Sequence, residues 1–387
     1  MKMLDMAKMQ EATRLTRAGR LNEALAILQG ASAGPSEHHT PASKFIDGEV
    51  VSEQKGQEKV SAGVARALHG LNLPGTGRSA FRESDLAPAD GEFIGGAFSS
   101  SQGARHYKLY IPSAAKAEPR PLIVMLHGCT QTAEDFAVGT RMNFVAESQG
   151  CYVAYPEQPQ GANVSKCWNW FRPSDQTRGT GEPALIAGIT RQVAETHNID
   201  ASRVYVAGLS AGGAAAAIMG ETYPDIYAAV GVHSGLACGA AHDLPSAFSA
   251  MRGAVTGGKD RHTASAADSS RKPTIVFHGD SDSTVHPRNG AQVIARARGE
   301  NKMEMQSERS RSSNGESFSR SVHRDETGTS IFELWELHGA GHYWSGGSAT
   351  GSFASEDGPN ASAEMVRFFL QHRLLRTASF ADASANP

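Results

Sequence analysis

Short apolar runs and amphipathic segments alternate along the chain from about residue 103. Runs rich in Val, Ile, Leu and aromatic residues predict strands, and the most apolar ones predict strands that are buried on both faces. The predicted strands are RHYKLYIP, PLIVMLHG, CYVAYP, RVYVAGLS, AAVGVHSG, KPTIVFHG and SIFELWELHG. Segments with helical spacing of apolar positions separate most of them. This alternation predicts an α/β fold, in which helices cover both faces of a mostly parallel sheet.

The helical segments carry their own start and stop signals. TAEDFAVGTRMNFVAESQG is predicted to be a helix with Thr132 as its N-cap and Gly150 as its end. EPALIAGITRQVAETHN has Pro183 in its first turn, where the missing N–H costs nothing. The other predicted helices are AGGAAAAIMGETY, a segment near LPSAFSAMRG, NGAQVIARARG and SAEMVRFFLQHR. Two polar stretches, residues 256–272 and 299–315, interrupt the pattern and are predicted to be surface loops.

The same pattern divides the chain into four regions. Residues 1–30 are predicted to form an N-terminal helical arm, and residues 31–95 a mostly irregular linker. Residues 96–375 form the α/β domain, and residues 376–387 a flexible tail. The arm resembles one helical hairpin without a second copy to cover its apolar face. We favour packing of the arm on the main domain, with docking of a partner as the alternative.

Composition narrows the classes of function. The chain has 40% hydrophobic and 20% charged residues, and its net charge of -3 offers no basic field for nucleic acid. No apolar run approaches the roughly 20 residues that span a bilayer. Charged residues interrupt the N-terminal segment, so a secretory h-region is absent from it and a cytoplasmic location is expected. The four cysteines are too few for a disulfide scaffold, and no pair has zinc-ligand spacing.

The segment VYVAGLSAGGAAAAIMG contains the pattern G-x-S-x-G around Ser210. In a nucleophile elbow this pattern puts a serine on a sharp turn between a strand and a helix, so the residues at both ±2 positions must lack bulk. An apolar run precedes Ser210 and an alanine-rich helix follows it. The alternative is a plain tight turn, since short glycine motifs arise by chance in a chain with 41 glycines. The strand–turn–helix context favours Ser210 as a nucleophile.

A serine nucleophile needs a base, and an acid that orients the base. In this architecture they follow in the order Ser, acid, His. Asp280 and Asp282 follow an apolar strand in IVFHGDSDSTV, and we favour Asp282 as the acid, with Asp280 stabilising the turn. WELHGAGHYWSGG contains His338 and His342. We favour His342 because it lies in a glycine-flanked loop beyond the last strand.

The tetrahedral intermediate of acyl transfer needs two N–H donors. The amide of Ala211 is one predicted donor, because it follows the nucleophile at a helix N-terminus. The amide of Cys129 is the other, because it follows His127-Gly128 at the end of an early strand. This chemistry calls for no metal or organic cofactor.

Several ordered motifs within residues 103–372 resemble the esterase, PHB (polyhydroxybutyrate) depolymerase family of α/β-hydrolases, and more distantly feruloyl and acetylxylan esterases. The motifs are LHGCTQTAEDFAVGTRMN, YPEQ, CWNWF, GEPALIAGITRQV, VYVAGLSAGGAAAAIMG, HGDSDSTV and GHYWSGG. The resemblance implies an α/β-hydrolase fold with Ser210, Asp282 and His342 as catalytic residues, in agreement with the choice made above. It also makes secretion the alternative to a cytoplasmic location. Secreted polymer degraders of this kind usually have a signal peptide and an added substrate-binding domain, and neither is predicted here.

The resemblance also places Cys129 and Cys167 near the mouth of the active site, where a disulfide and two free thiols both remain open. Cys151 is expected to be a small buried residue. For Cys238, in the loop LACGAAH, a place on the cleft wall and a place outside the cleft both remain open. The tryptophans of KCWNWF either pack in the core or form a wall of the substrate cleft. The residues expected to contact substrate are Trp168, Trp170, His127, Tyr343 and Trp344.

The sequence therefore predicts a serine carboxylic-ester hydrolase that works through an acyl-enzyme. The expected substrates are poly(3-hydroxybutyrate), hydroxyalkanoate oligomers and short-chain esters, with no nucleic-acid partner and no membrane span. A feruloyl or acetylxylan-type esterase and a serine peptidase share the fold and are the catalytic alternatives. A non-catalytic binding protein that docks through its N-terminal arm is the alternative from another class.

Overall fold

The computed structural model describes residues 81–116, 118–254, 272–299 and 303–374. The predicted N-terminal arm, the tail of residues 376–387 and most of the stretch 256–272 lie outside the described residues. The division of the chain into four regions also stays a prediction.

The strands of the described part form a single ten-stranded sheet. In chain order they are β1 (Glu92–Ser100), β2 (Gly103–Ile111), β3 (Arg120–Leu126), β4 (Tyr152–Pro156), β5 (Ile199–Leu209), β6 (Ala229–His233), β7 (Thr274–Gly279), β8 (Glu304–Arg311), β9 (Ser317–Arg324) and β10 (Ser330–Leu337). Their order across the sheet is β1-β2-β4-β3-β5-β6-β7-β10-β9-β8. The strands from β4 to β10 in this order are parallel, and two antiparallel strands flank them at each side. The carboxyl ends of the parallel strands therefore meet at one edge.

Helices cover both faces of this sheet. In chain order they are α1 (Glu83–Leu86), α2 (Ala133–Thr140), α3 (Met142–Gln149), α4 (Gly181–Thr196), α5 (Ala211–Thr222), α6 (Leu244–Met251), α7 (Arg288–Arg298) and α8 (Ala361–Phe369), with 3₁₀ turns at Ser113–Lys116 and Pro173–Gln176. No helix within the described ranges combines the length and the apolar character that a bilayer crossing requires.

The sheet separates two hydrophobic cores, and strand β5 contributes to both. Val204 and Val206 belong to the core that contains side chains of α4, α5, α6 and α7. Tyr205 and Ala207 belong to the core that contains side chains of α2, α3 and α8. The ring of Tyr205 stacks on Phe369 of α8 with a centroid distance of 5.0 Å. This alternation explains why the strand is a continuous apolar run in the sequence.

The predicted helix after Thr132 is interrupted. Thr132 caps α2 as expected, and its hydroxyl accepts a hydrogen bond of 3.1 Å from the amide of Asp135. Gly150 ends α3 in the left-handed conformation, as predicted. Between them Arg141 also has positive φ, at 53°, so the segment is two helices rather than one. Gly139 lies two residues before this break, but the sequence pattern predicts one continuous helix.

The prediction of a surface loop over residues 299–315 is wrong, because β8 lies within it. Every residue of β8 is exposed, and the strand pairs with β9 at one side of the sheet. Such a strand needs only backbone hydrogen bonds from its neighbour, so it shows no alternation of apolar and polar residues. Strand β1, at the opposite edge of the sheet, has no buried residue and is also missing from the predicted elements. Strand β9 is missing too, although it lies between β8 and β10 and buries Phe318, Val322 and His323.

Candidate active site

Ser210 lies at the turn between β5 and α5 in a strained conformation, with φ 57° and ψ −118°. A residue with a Cβ atom in such a region costs about 1–3 kcal/mol. The backbone is tightly enclosed, since a Cβ on Gly212 would lie 2.5 Å from the carbonyl oxygen of His127. A Cβ on Gly208 would lie 2.6 Å from the carbonyl oxygen of Leu126. These contacts are the physical reason for glycine on both sides of the serine, and the local geometry is that of a nucleophile elbow.

Asp282 follows β7 and His342 follows β10, and the two side chains form a hydrogen-bonded pair. Asp282 Oδ2 lies 2.7 Å from His342 Nδ1. The other carboxylate oxygen accepts hydrogen bonds of 2.8 Å from the amides of Thr284 and Val285. The Asp282 side chain has no exposed surface, whereas that of His342 is 12% exposed. The carboxylate is therefore fixed in place, and the imidazole retains access to the solvent side.

The surroundings of Asp282 keep its carboxylate ionised. Burial alone raises its pKa, but hydrogen bonds from His278, His342 and the Val285 amide outweigh burial and hold the pKa well below its usual range. His278 Nε2 lies 3.5 Å from Asp282 Oδ2 and 2.8 Å from the carbonyl oxygen of Val285. His278 was not among the predicted site residues, although its place at the end of an apolar strand, two residues before Asp280, was the available signal.

The other predicted candidates form a second pair at the same edge. His338 Nδ1 lies 3.0 Å from Asp280 Oδ2, and His338 Nε2 lies 2.8 Å from Ser319 Oγ. The side chain of Asp280 is 45% exposed and that of His338 is 24% exposed. Neither lines the cavity that contains Ser210. Asp282 and His342 thus form the buried pair at the cavity, and Asp280 and His338 form a more exposed pair outside it.

A cavity next to the elbow has Ser210 and His342 on its wall, together with Cys129 and Ala211. No hydrogen bond joins Ser210 Oγ to His342 in the described part of the chain. Most of the wall is apolar and was not predicted. Its apolar side chains include Leu236, Leu244, Phe248, Met251, Val285 and Phe353.

The loop after β3 fixes the peptide group between Gly128 and Cys129. The amide of Gly128 donates to Gln131 Oε1 at 2.8 Å, and His127 Nδ1 lies 2.7 Å from the Gly128 carbonyl oxygen. In a trans peptide the N–H points opposite to the preceding C=O. The Cys129 amide therefore points away from the His127 ring. No described residue accepts a hydrogen bond from the amide of Cys129 or of Ala211, so both donors are open to a ligand.

His127 is buried, with only 1% of its surface exposed, and it does not line the cavity. Its Nε2 accepts a hydrogen bond of 3.0 Å from the amide of Gln158, so the ring proton must be on Nδ1, which donates to Gly128. Burial lowers the pKa of His127 to about 4, which keeps the ring neutral. The predicted substrate contact at His127 is therefore corrected to a role in orienting the Gly128–Cys129 peptide.

Among the other predicted substrate contacts, Trp170 lines the cavity. Trp168 is fully buried and donates from Nε1 to the His127 carbonyl oxygen at 3.1 Å. Trp344 is buried against the ring of His233 and donates to Ser362 Oγ at 3.1 Å. Tyr343 is half-buried and does not line the cavity. The rings of Trp168 and Trp344 lie in the core and not on the cavity wall, contrary to the expected contact, whereas substrate contact at Tyr343 stays a prediction.

Cys129 and Cys167 form a disulfide, with their Cα atoms 4.2 Å apart. Both residues line the cavity, so the bridge joins the loop after β3 to the loop that contains Trp170. A hydrogen bond of 2.7 Å from the Thr130 amide to the Ser165 carbonyl oxygen joins the same two loops. Cys151 is a free buried thiol, and burial raises its pKa to about 12. Cys238 is free and half-buried and does not line the cavity.

The sheet order, the helices on both faces and the elbow at the end of β5 define the class: the protein has an α/β-hydrolase fold. An acetyl xylan esterase structure from Aspergillus awamori has the same fold, with a TM-score of 0.55 and 19% identity over 72% of this chain and 99% of that one. A model of the family described as Esterase PHB depolymerase matches residues 105–312, more than half of the chain. The chain belongs to that family.

Two relatives show how far the similarity extends. Poly(3-hydroxyalkanoate) depolymerase C of Paucimonas lemoignei is 34% identical over 255 residues, which cover 63% of this chain and 60% of that protein. Feruloyl esterase B of Neurospora crassa is 33% identical over 199 residues, which cover 48% of this chain and 66% of that protein. This chain therefore spans less than two thirds of the length of either relative.

Proposed function

We propose that the protein is a serine hydrolase of carboxylic esters with Ser210, His342 and Asp282 as its catalytic triad. One observation carries the proposal. Ser210, on a strained elbow, and His342, paired with the buried carboxylate of Asp282, line the same cavity. Their place on one cavity wall supports the assignment of nucleophile, base and orienting acid.

In the first half of the reaction His342 Nε2 takes the proton of Ser210 Oγ as that oxygen attacks the ester carbonyl carbon. The negative charge that develops on the carbonyl oxygen is stabilised by the amides of Cys129 and Ala211, each such donor contributing about 2.7–4 kcal/mol to the transition state. The imidazolium then protonates the departing alcohol. Water repeats the sequence on the acyl-enzyme and releases the acid. Asp282 keeps the His342 proton on Nδ1 and stabilises the imidazolium throughout.

The second His–Asp pair provides matched controls for this assignment. We expect Ser210→Ala, His342→Gln and Asp282→Asn each to lower kcat for p-nitrophenyl butyrate by at least about 10³-fold. His338→Gln and Asp280→Asn make the same chemical changes at the pair outside the cavity, and they should stay within about threefold of the wild type. Equal losses in both sets would refute the assignment of the triad.

A fluorophosphonate probe separates catalysis from a binding-only role. The wild type should be labelled at Ser210, which peptide mass spectrometry identifies, and Ser210→Ala should remain unlabelled at that peptide. A folded wild-type protein that resists the probe would support the non-catalytic binding alternative and contradict the proposal.

The proposed substrates are hydroxyalkanoate oligomers, poly(3-hydroxybutyrate) and short-chain esters. The 34% identity to a poly(3-hydroxyalkanoate) depolymerase over 255 residues supports this choice. The 33% identity to a feruloyl esterase supports the second candidate, an esterase of feruloyl or acetylxylan type. A side-by-side panel of hydroxybutyrate oligomers, the polymer, methyl ferulate and acetylated xylan discriminates between them by the ratio of kcat/KM values.

The disulfide bears on the compartment in which this enzyme would work. Disulfides persist in oxidising compartments and are rare in the cytoplasm, so the Cys129–Cys167 bridge favours secretion over the cytoplasmic location expected from the N-terminal segment. Alkylation of the unreduced protein isolated from its host, followed by mass spectrometry, measures whether Cys129 and Cys167 are bonded to each other in the cell or outside it. Modification of Cys129 and Cys167 without prior reduction would favour the cytoplasmic alternative.

A further inference from the structure

One face of α6 is apolar and only partly buried. Leu244, Phe248 and Met251 have the spacing i, i+4, i+7, so they lie on one side of the helix. All three are only half-buried, and all three line the cavity beside Ser210. Leu244 and Met251 also pack against the core behind them. Large, partly exposed apolar side chains that line a cavity are typical of a binding surface. We call these three side chains the α6 wall.

The α6 wall is held rigidly in place. At its start Asp243 caps the helix, and its carboxylate accepts a hydrogen bond of 2.8 Å from the Ser246 amide. At its end the Met251 carbonyl oxygen accepts from the His286 amide at 2.8 Å, and the Ala250 carbonyl oxygen accepts from Asn289 Nδ2 at 3.0 Å. The wall is therefore formed before any ligand binds, which reduces the entropy lost on binding.

The rest of the cavity offers a ligand few polar partners. Apart from Ser210, His342 and the indole of Trp170, the polar side chains that line it are those of Thr130 and Thr284, and no carboxylate, ammonium or guanidinium of a described residue lines it. A sugar ring needs several hydrogen-bond partners when it leaves water, and a charged acid needs a counter-ion. The cavity thus fits an uncharged apolar group and excludes a carbohydrate.

We infer that the α6 wall binds the acyl group of the ester and that the substrates are esters of uncharged acids with alkyl or hydroxyalkyl chains longer than acetyl. The inference rests on the proposed function. The acyl group stays on Ser210 after the alcohol has left, so it needs binding contacts that do not depend on the alcohol. A carbohydrate alcohol, if present, would remain outside the cavity.

Binding of the acyl group by the α6 wall should make kcat/KM depend on the length of the acyl chain. Each methylene buried against it should raise kcat/KM by about fourfold, so butyrate should exceed acetate by about 15-fold with the same p-nitrophenol leaving group. Phe248→Ala and Met251→Ala open space, and each should raise the octanoate-to-butyrate ratio by about fourfold or more. Met251→Trp fills space and should lower the same ratio by a similar factor.

A matched control is available at Met305, a methionine of β8 that is 57% exposed and far from the cavity in the sheet order. Met305→Ala should leave every ratio unchanged. The circular dichroism spectrum and the urea unfolding transition show whether each variant is folded. If Met251→Ala does not fold, the smaller change Leu244→Val, which should shift the ratio in the same direction, decides the matter.

Two outcomes would overturn the inference while the proposed function stands. One is an acyl-length profile that is the same in wild type, Met251→Ala and Met251→Trp. The other is a shift that appears only in a second series, in which butyrate esters of methyl, butyl and benzyl alcohol are compared, because the wall would then bind the alcohol. Failure of the wild type to hydrolyse any of these esters would instead contradict the proposed function.

Discussion

The glycine after the elbow offers a graded test of the structure. A Cβ atom on Gly212 would overlap the Leu126 carbonyl oxygen and lie 2.5 Å from that of His127. Both oxygens belong to the end of β3 and the loop that follows it, so no flexible side chain can yield. Real Cβ atoms essentially never come within 3.0 Å of another heavy atom, and the distance to the Leu126 oxygen would be 2.0 Å. Gly212→Ala must therefore push α5 and the loop after β3 apart by roughly 1 Å.

This displacement has two measurable effects. Overpacking of this kind costs about 1–3 kcal/mol in the free energy of unfolding, which urea denaturation followed by circular dichroism measures. It also separates the amides of Cys129 and Ala211, which stand on the two parts that move. A misplacement of about 1 Å at reacting groups lowers the rate by about 100-fold. We therefore expect kcat for p-nitrophenyl butyrate to fall about 100-fold in Gly212→Ala.

Two other glycines calibrate the result. A Cβ on Gly213 would lie 3.1 Å from the carbonyl oxygens of Gly208 and His233, so Gly213→Ala should have a smaller effect. A Cβ on Gly95 would have nothing within 4 Å, so Gly95→Ala should stay close to the wild type in both assays. Gly212→Ala with both the free energy of unfolding and kcat close to the wild type would refute the argument from close packing. A loss of stability with unchanged kcat would refute the part assigned to the two amides.

Three further predictions concern the surroundings of the cavity. The disulfide closes a loop with a sequence separation of 38 residues, so replacing both Cys129 and Cys167 with alanine should lower the free energy of unfolding by about 4 kcal/mol, whereas Cys238→Ala should not. His127 has a folded-state pKa of about 4, below its ordinary 6.5. Between these values the unfolded state binds the proton, so stability falls as pH is lowered from 6.5 towards 4. His127→Asn should reduce that slope by about 1.4 kcal/mol per pH unit, and an unchanged slope would contradict a buried neutral ring. Trp168→Phe should lower the free energy of unfolding by about 1–3 kcal/mol without altering the dependence of rate on acyl-chain length. A changed dependence would show that Trp168 contacts the substrate.

The central part of the fold could be read from the sequence because its strands are buried on both faces. Such strands appear as apolar runs, and the helices between them appear as amphipathic segments with caps, as at Thr132. Strands β1, β8 and β9 could not be read in the same way. The eight residues of β8 are all exposed, so their polar side chains gave no pattern, and only pairing with β9 makes them a strand.

For the site, the order of motifs led to Ser210, Asp282 and His342 because each follows the end of a parallel strand, and those ends meet at one edge. The sequence also contained Asp280 and His338, at the ends of the same two strands. Position along the chain could only favour one pair, whereas the structure separates them by burial and by access to the cavity.

The sequence by itself determined the fold class, the family and the residues that are candidates for the chemistry. These depend on local patterns: apolar runs, helix signals and glycines where backbones approach closely. The tertiary structure alone decided the walls of the cavity. It buried Trp168 and Trp344, placed His127 against the Gly128 carbonyl group, joined Cys129 to Cys167 and put the α6 wall on the cavity that contains Ser210. Which face of a helix or ring meets a cavity depends on contacts between segments distant in sequence, and no local pattern records them.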